Sequence, residues 1–478
     1  MLKTFRIGLC IGLLLCVCLQ LAGKTDKMSR IKYPGGKCYV YRYTLRDKAG
    51  TPHRLDHPQR WLSRESIERR KRQHLSLDST DLPVSPLYLN QFHLPAKEAR
   101  ITGTTIVGTS RWNNTVLVRS QDTTLLNRFA HLDCVKSAHC VWTSPDSIER
   151  RIMPPKCRDE WNRWDSIKTE YYGNTKQQLE SLRGIQMHNI GYKGKGMTIA
   201  ILDGGFQNAD KIPWFRQVQI EGVKDFVYPN SPNIYNETDH GTKVFSAMAV
   251  NEPYVYIGSA PEASYWLLRC EDQQTEQEIE EDYWAMAAEF ADSAGVDIIN
   301  SSLGYYEYDR HYGDHHLSDL DGTTALISRT ASMLARKGMI LVNSAGNTGM
   351  GSWKKITFPA DAQEIISVGA LTQEMKSAPF SAVGPTQDGR VKPDIMAIGS
   401  PATLISSRGT VTRDMGTSFS TPIVCGLVAC LWQALPHKSA LDIINLVRSC
   451  GDNHHTPNNI YGYGTPNFWR AYMIGRLE

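Results

Sequence analysis

From about Tyr171 onward the chain alternates short, β-branched apolar runs with longer helical patterns. Residues 197–202 (MTIAIL), 264–269, 296–300 (VDIIN), 339–342 (MILV) and 365–368 (IISV) show little polar alternation, the pattern of strands covered on both faces. Residues 279–294 and 323–337 predict amphipathic helices, and 423–435 (IVCGLVACLWQAL) is long and periodic enough for a buried helix. This alternation predicts an α/β fold, a mainly parallel sheet with helices on both faces.

The pattern ahead of it is different. Residues 38–45 alternate as a strand, 63–74 form a polar, Arg-rich helical stretch, and 112–119 (WNNTVLVR) read as a strand. Residues 122–129 then predict a helix and 133–142 a last strand, with room for one more strand before Trp112. These elements predict a small α+β domain over 24–143, joined to a main domain over 171–478 by a linker over 144–170. The linker is polar and broken by Pro145, Pro154 and Pro155, and its Arg150-Arg151 is a candidate cleavage point.

Residues 1–23 have the layout of a signal peptide: Lys3 and Arg6, an apolar run over 7–21, then Ala22-Gly23. That run is short for a membrane span, and no other stretch approaches eighteen uninterrupted apolar residues, so no stable span is expected. The predicted destination is the periplasm or the extracellular space. Lipoprotein anchoring through Cys16 or Cys18 is the minor alternative.

The net charge of +4 hides an asymmetry. Residues 24–150 hold 22 Lys and Arg against 12 Asp and Glu, while the remainder after them is net acidic. Attraction between the two parts is expected. Nucleic acid is a poorer partner for the basic part, which has no aromatics interleaved with its cations. The cluster Arg69-Arg70-Lys71-Arg72 reads most simply as a solvated helix face. Eight cysteines remain after the signal, in no zinc-binding pattern and with their pairing open; Cys425 and Cys430 read as small buried hydrophobes.

Three residues sit where strands end or helices begin, the usual place for chemistry in a parallel sheet. Asp203 ends the MTIAIL run, His240 opens a helix in Asp-His-Gly-Thr, and Ser418 lies in Gly-Thr-Ser-Phe-Ser-Thr-Pro before the apolar helix. Each alone has a structural reading as a turn residue or cap. Together they supply what a weak serine nucleophile needs: an imidazole to carry its proton and a carboxylate to orient that imidazole. Asn347, in Asn343-Ser344-Ala345-Gly346-Asn347, is the candidate oxyanion donor, with the Ser418 N–H.

The ordered set Ile201-Leu202-Asp203-Gly204-Gly205-Phe206, His240-Gly241-Thr242, Ser344-Ala345-Gly346-Asn347 and Gly416-Thr417-Ser418-Phe419-Ser420-Thr421-Pro422 resembles the subtilase family of serine peptidases, from about Tyr171 to Tyr472. The resemblance implies an Asp203–His240–Ser418 triad with Asn347 in the oxyanion hole. It also implies a substrate-lining strand at Asn300-Ser301-Ser302-Leu303-Gly304, with Ser302, Leu303, Gly304 and Gly346 as substrate-binding residues. Leu303, Gly304, Gly346 and Thr357 suggest an uncharged pocket. The expected protein is a monomeric, exported serine endopeptidase acting on polypeptides, made as a zymogen whose front domain is an intramolecular inhibitor. The alternatives are an esterase using the same triad and a catalytically silent peptide-binding pseudoprotease.

No cofactor is expected for catalysis. A structural calcium is unsupported, because 240–261 lacks the Asn-rich loop of the family's tight site. Asp319 and Asp321 read as a helix cap before a cation site, and His311, His315 and His316 as a polar loop; no metal site is predicted. Gly204 departs from the family pattern, with local backbone freedom as its expected consequence.

Overall fold

The computed structural model describes residues 30–149, 155–157, 167–227, 233–309 and 313–477. The predicted signal peptide, Arg150-Arg151 and His311 lie outside the described residues. The chain divides into two units. The smaller takes Met1–Lys37 with Ser144–Ile152, and in it Arg30–Lys32 pairs antiparallel with Ser147–Glu149. Arg30 reinforces that pair by donating to the Ser147 hydroxyl and carbonyl. The larger unit, Cys38–Thr143 with Met153–Glu478, holds the front domain and the main sheet.

In the front domain the elements are β1 (Tyr39–Leu45), α1 (Arg64–Arg72), β2 (Thr105–Ser110), β3 (Thr115–Ser120), α2 (Thr123–Phe129) and β4 (Val135–Thr143). They form an antiparallel sheet in the order β2-β3-β1-β4. Strand β2 fills the place left open before Trp112. Asp122 caps α2 by accepting from the N–H groups of Thr124 and Leu125, and Ser63 caps α1 through Ser66. Tyr43, Phe92, Val116, Val118, Leu126 and Phe129 fill the core between sheet and helices.

The main domain contributes β5 (Thr198–Asp203), β6 (Gln219–Asp225), α3 (His240–Ala249), β7 (Ser264–Arg269), α4 (Ile279–Ala294), β8 (Ile298–Ser301), β9 (Ile340–Ser344), β10 (Ile366–Thr372), β11 (Ile395–Ser400) and α5 (Thr417–Ala434). Seven strands run parallel in the order β11-β10-β9-β8-β5-β7-β6. Ile199, Ile201, Leu267, Ile340, Val342, Ile366 and Val368 share one core with α3 and α5. The alternate residues Ala200, Leu202, Leu268, Ile299 and Leu341 are buried as well and face the other way. Helix α4 lies there, its Trp284 indole donating to Ser301 at 3.0 Å. Both faces are thus covered, which is why the strands read as apolar runs. Strand β6 (QIEGVKD) is the exposed edge and carries no such signal.

Helix α5 begins six residues before the predicted run, at Thr417, so Ser418 stands in its first turn. It is apolar and long enough to cross a membrane, and it lies buried in the core. The helix predicted over 323–337 is broken into Leu326–Ala331 and a 3-10 turn at Ala335–Lys337. Hydroxyls on this stretch bond outside it: Ser328 donates to Asp361, while Ser332 donates to Gly322 O and accepts from Gln363 N.

The front domain packs on α4, and the predicted solvated face of α1 is corrected here. Arg69 and Arg70 are 2% and 3% exposed. Both reach Asp292 of α4, Arg69 at 2.5 Å and Arg70 at 2.9 Å, and Arg111 joins the same carboxylate at 2.6 Å. Burial alone would raise the Asp292 pKa, but the three guanidinium charges hold it below the usual carboxylate value. Arg42 pairs with Glu278 and Asp282, and Lys337 with Asp81 at 3.0 Å. Glu289 accepts from the Ser110 hydroxyl and from the N–H groups of Arg111 and Trp112. The charge asymmetry of the sequence is therefore spent in buried pairs between the two domains. Thr143 ends β4 in a two-way bond with the Gln277 side chain, at 2.8 and 3.0 Å.

Candidate active site

Strand order reverses around β5: the chain first builds β6 and β7 on one side, then β8 on the other. Asp203 ends β5 at this switch point. Its carboxylate is fully buried, and both oxygens lie 2.9 Å from Nδ1 of His240. One oxygen also accepts from Gly204 N at 2.8 Å. His240 opens α3, and Gly241 is what lets the helix start this close to β5. A Cβ at 241 would stand 2.3 Å from Gly205 O and 3.0 Å from the Asp203 side chain. Burial pulls the imidazole pKa down, but the Asp203 charge and hydrogen bond outweigh it and raise the value to about 9.

Ser418 is the second residue of α5, where N–H groups have no intrahelical acceptor. Its hydroxyl donates to Ser302 O at 3.1 Å, and its carbonyl accepts from Ser302 Oγ at 2.9 Å. The second bond follows from Pro422. Lacking an N–H, Pro422 cannot serve the carbonyl four residues back, and Ser302 takes its place. No hydrogen bond joins Ser418 Oγ to His240 among the described residues, so the hydroxyl must rotate to reach the imidazole.

Asn347 lies in the loop after β9. Its carboxamide oxygen accepts from Thr417 N at 2.9 Å and Thr417 Oγ1 at 3.0 Å. A backbone N–H needs an acceptor, so this contact fixes the amide and leaves Nδ2 as the outward donor near Gly416. The four predicted residues Asp203, His240, Asn347 and Ser418 thus lie around one set of strand ends.

The predicted substrate-binding residues bracket Ser418. Ser302 touches it directly, as above. Leu303 keeps its side chain buried, and its carbonyl accepts from the Ser344 hydroxyl at 3.3 Å. Gly304 is exposed, and Gly346 has φ +108°, a conformation side chains rarely adopt.

Sequence reasoning missed Glu271. A Cβ at Gly204 would stand 2.8 Å from its carboxylate and 2.9 Å from Gln273 Nε2, so the missing side chain leaves space that these two side-chain ends take up. Burial and repulsion by Asp203 raise the Glu271 pKa to about 7. The Gly at a usually substituted position was the signal that could have found it. His315 also differs from a polar-loop reading: it is held by Glu281 at 2.5 Å and packs on Phe358. Asp321 accepts from Thr323 and Thr324 in a bend ahead of Leu326–Ala331, whose N-cap is Ala325, so it does not cap that helix. Asp319 accepts from His316 N in the capping box of the 3-10 turn Leu317–Asp319.

A model of the Subtilase family matches residues 194–464, and one of the Peptidase S8 propeptide domain of Bacteroidota matches 40–154. The chain is 28% identical to subtilisin NAT of Bacillus subtilis subsp. natto over 276 residues, 57% of this chain and 65% of that relative. It is 27% identical to subtilisin Savinase of Lederbergia lenta over 281 residues, 59% of this chain and 92% of the relative. The match thus spans just under two thirds of the first relative's length and nearly all of the second. Among solved structures, the crystal structure of MycP1 with its N-terminal propeptide removed shares the fold, with TM-score 0.50 and 21% identity over 62% of this chain and 96% of that one. With a family model covering more than half of its residues and four motifs in that family's order, the chain belongs to the subtilase family.

Proposed function

We propose that the chain is an exported serine endopeptidase, made as a zymogen, that cleaves polypeptides through an acyl-enzyme on Ser418. The observation that carries this reading is the two-oxygen contact of Asp203 with His240 Nδ1. It sets the tautomer so that Nε2 is free to take a proton from Ser418. Ser418 Oγ attacks the peptide carbonyl as its proton passes to Nε2, and the oxyanion is held by Asn347 Nδ2 and the Ser418 N–H. His240 then gives the proton to the leaving amine as the C–N bond breaks. Water, deprotonated by the same imidazole, releases the acyl group. Every proton passes through His240, and the scheme calls on no cofactor.

The front domain is read as the inhibitor of the zymogen, held on α4 by the buried ion pairs. The deciding experiment is labelling of the matured protein with a fluorophosphonate probe. Labelling of wild type and not of Ser418→Ala is the expected result. Wild type that stays unlabelled points instead to the silent binding module. Casein hydrolysis without preference for short-chain esters separates the peptidase from the esterase.

The base is active only when neutral. With its pKa at about 9 instead of the ordinary 6.5, kcat/KM should climb about tenfold per pH unit through the neutral range and level off only above about pH 9. A pH series on the matured enzyme measures this, and a plateau by pH 7.5 contradicts it. Asn347→Ala should lower kcat by about two to three orders of magnitude with KM little changed, since the lost bond forms on the oxyanion.

A further inference from the structure

We propose that Asn300 is a positioning residue for the reaction, acting on the nucleophile through the Ser302 hydroxyl. Its side chain holds that hydroxyl in the orientation that pins the Ser418 carbonyl, and with it the start of α5. This rests on the peptidase reading above. Asn300 lies inside β8, paired with Ile201 of β5 on one side and Val342 of β9 on the other. Side chains in register across a parallel sheet share a face. Here that face is apolar and packs with α5, for Ile201, Ile298 and Val342 all belong to the shared core. A fully buried carboxamide is out of pattern in this row.

Its hydrogen bonds give the reason. Ser302 Oγ donates its hydrogen to Ser418 O at 2.9 Å. A hydroxyl has a single hydrogen and a carbonyl only accepts, so any further bond at Ser302 Oγ must use a lone pair. Asn300 Nδ2 donates to it at 3.3 Å. That fixes the amide: turned over, its oxygen would face Ser302 Oγ and compete for the hydrogen that Ser418 O receives. With Nδ2 so engaged, Asn300 Oδ1 is left buried and without a hydrogen-bond partner among the described residues. An unpaired buried acceptor is destabilising, and a leucine of similar volume would avoid it. Stability is given up at a residue one hydrogen bond away from the nucleophile's own partner, as functional sites do.

The Ser418 carbonyl needs this support because Pro422 offers it no N–H. If Ser302 Oγ were free to rotate, Ser418 O would lose its bond for part of the time. The first turn of α5 would then loosen, and the Ser418 Cβ and N–H would move with it. Attack on a carbonyl and capture of its oxyanion need both in line at once. Asn300 touches neither substrate nor Ser418, so its whole effect passes through Ser302.

The experiment compares wild type with Asn300→Leu, Asn300→Ala, Ser302→Ala, and Asn300→Leu combined with Ser302→Ala. Each is matured and counted by fluorophosphonate titration run to completion. Rates on one peptide amide are taken per titrated site, so a misfolded fraction cancels. Asn300→Leu and Asn300→Ala should each lower kcat by about three- to tenfold, the worth of one hydrogen bond, with KM changed by less than about twofold. The melting temperature of Asn300→Leu should match or exceed that of wild type, because the unpaired oxygen is gone; a purely structural role predicts a fall in melting temperature at unchanged kcat. In the Ser302→Ala background, Asn300→Leu should change kcat by less than about twofold, since its intermediary is missing. Unchanged kcat in both Asn300 variants overturns the inference. So does a loss confined to KM, or one equally large in the Ser302→Ala background. Wild type that binds no probe overturns the peptidase reading itself.

Discussion

Asp203→Asn is expected to lower kcat by about four orders of magnitude while the protein stays folded. The amide is close in shape to the carboxylate, so Gly241 still fits beside it and the start of α3 keeps its place. What changes is the proton. An amide NH2 turned toward Nδ1 makes that nitrogen an acceptor and leaves the hydrogen on Nε2, where it blocks transfer from Ser418. The loss of negative charge also removes what raises the imidazole pKa, so the residual activity should reach its plateau at lower pH than in wild type. Kinetics across pH, with a melting curve on the same preparation, measure both effects. A loss below about tenfold would remove Asp203 from the mechanism.

Asp292→Ala is expected to destabilise the docked front domain by about 3–5 kcal/mol, because it leaves buried guanidinium groups unpaired. Arg69 and Arg70 are almost fully covered and share this one carboxylate with Arg111. Urea unfolding of the full chain, in a Ser418→Ala background that prevents self-cleavage, reads the loss directly. The pH dependence follows from the same carboxylate. Its pKa is depressed in the fold, so its contribution is present above the ordinary Asp range and disappears as pH falls through the lowered value. An unfolding midpoint unchanged by Asp292→Ala would show that the ion pairs contribute nothing to docking.

Much of the candidate site was legible because its residues stand at sequence punctuation. Asp203 closes an apolar run, His240 and Ser418 precede helices, and Gly241 and Gly346 mark close approaches. The same logic found five of the seven main-sheet strands, since a strand covered on both faces reads as an apolar run, but it left the buried run of β11 unread. Strand β6 escaped because one of its sides is open to water. Arg69 and Arg70 misled because periodicity reports polarity and not what lies opposite; their partner Asp292 is more than 200 residues away. The break near Ser332 was invisible for a related reason, as a serine's competing partner in another loop leaves no local trace. Glu271 belongs to this class as well: a glycine's missing side chain is legible, but its occupant is not.

The paired bonds between Ser302 and Ser418 have a consequence for timing. Ser418 Oγ donates to the Ser302 carbonyl and makes no hydrogen bond with His240 among the described residues. That carbonyl belongs to the segment an extended peptide would join as an added strand. A backbone N–H arriving there competes for the acceptor that Ser418 is using, and the displaced hydroxyl can turn to His240. Under the peptidase reading, a peptide bound along that segment would therefore free the Ser418 hydroxyl to turn toward His240.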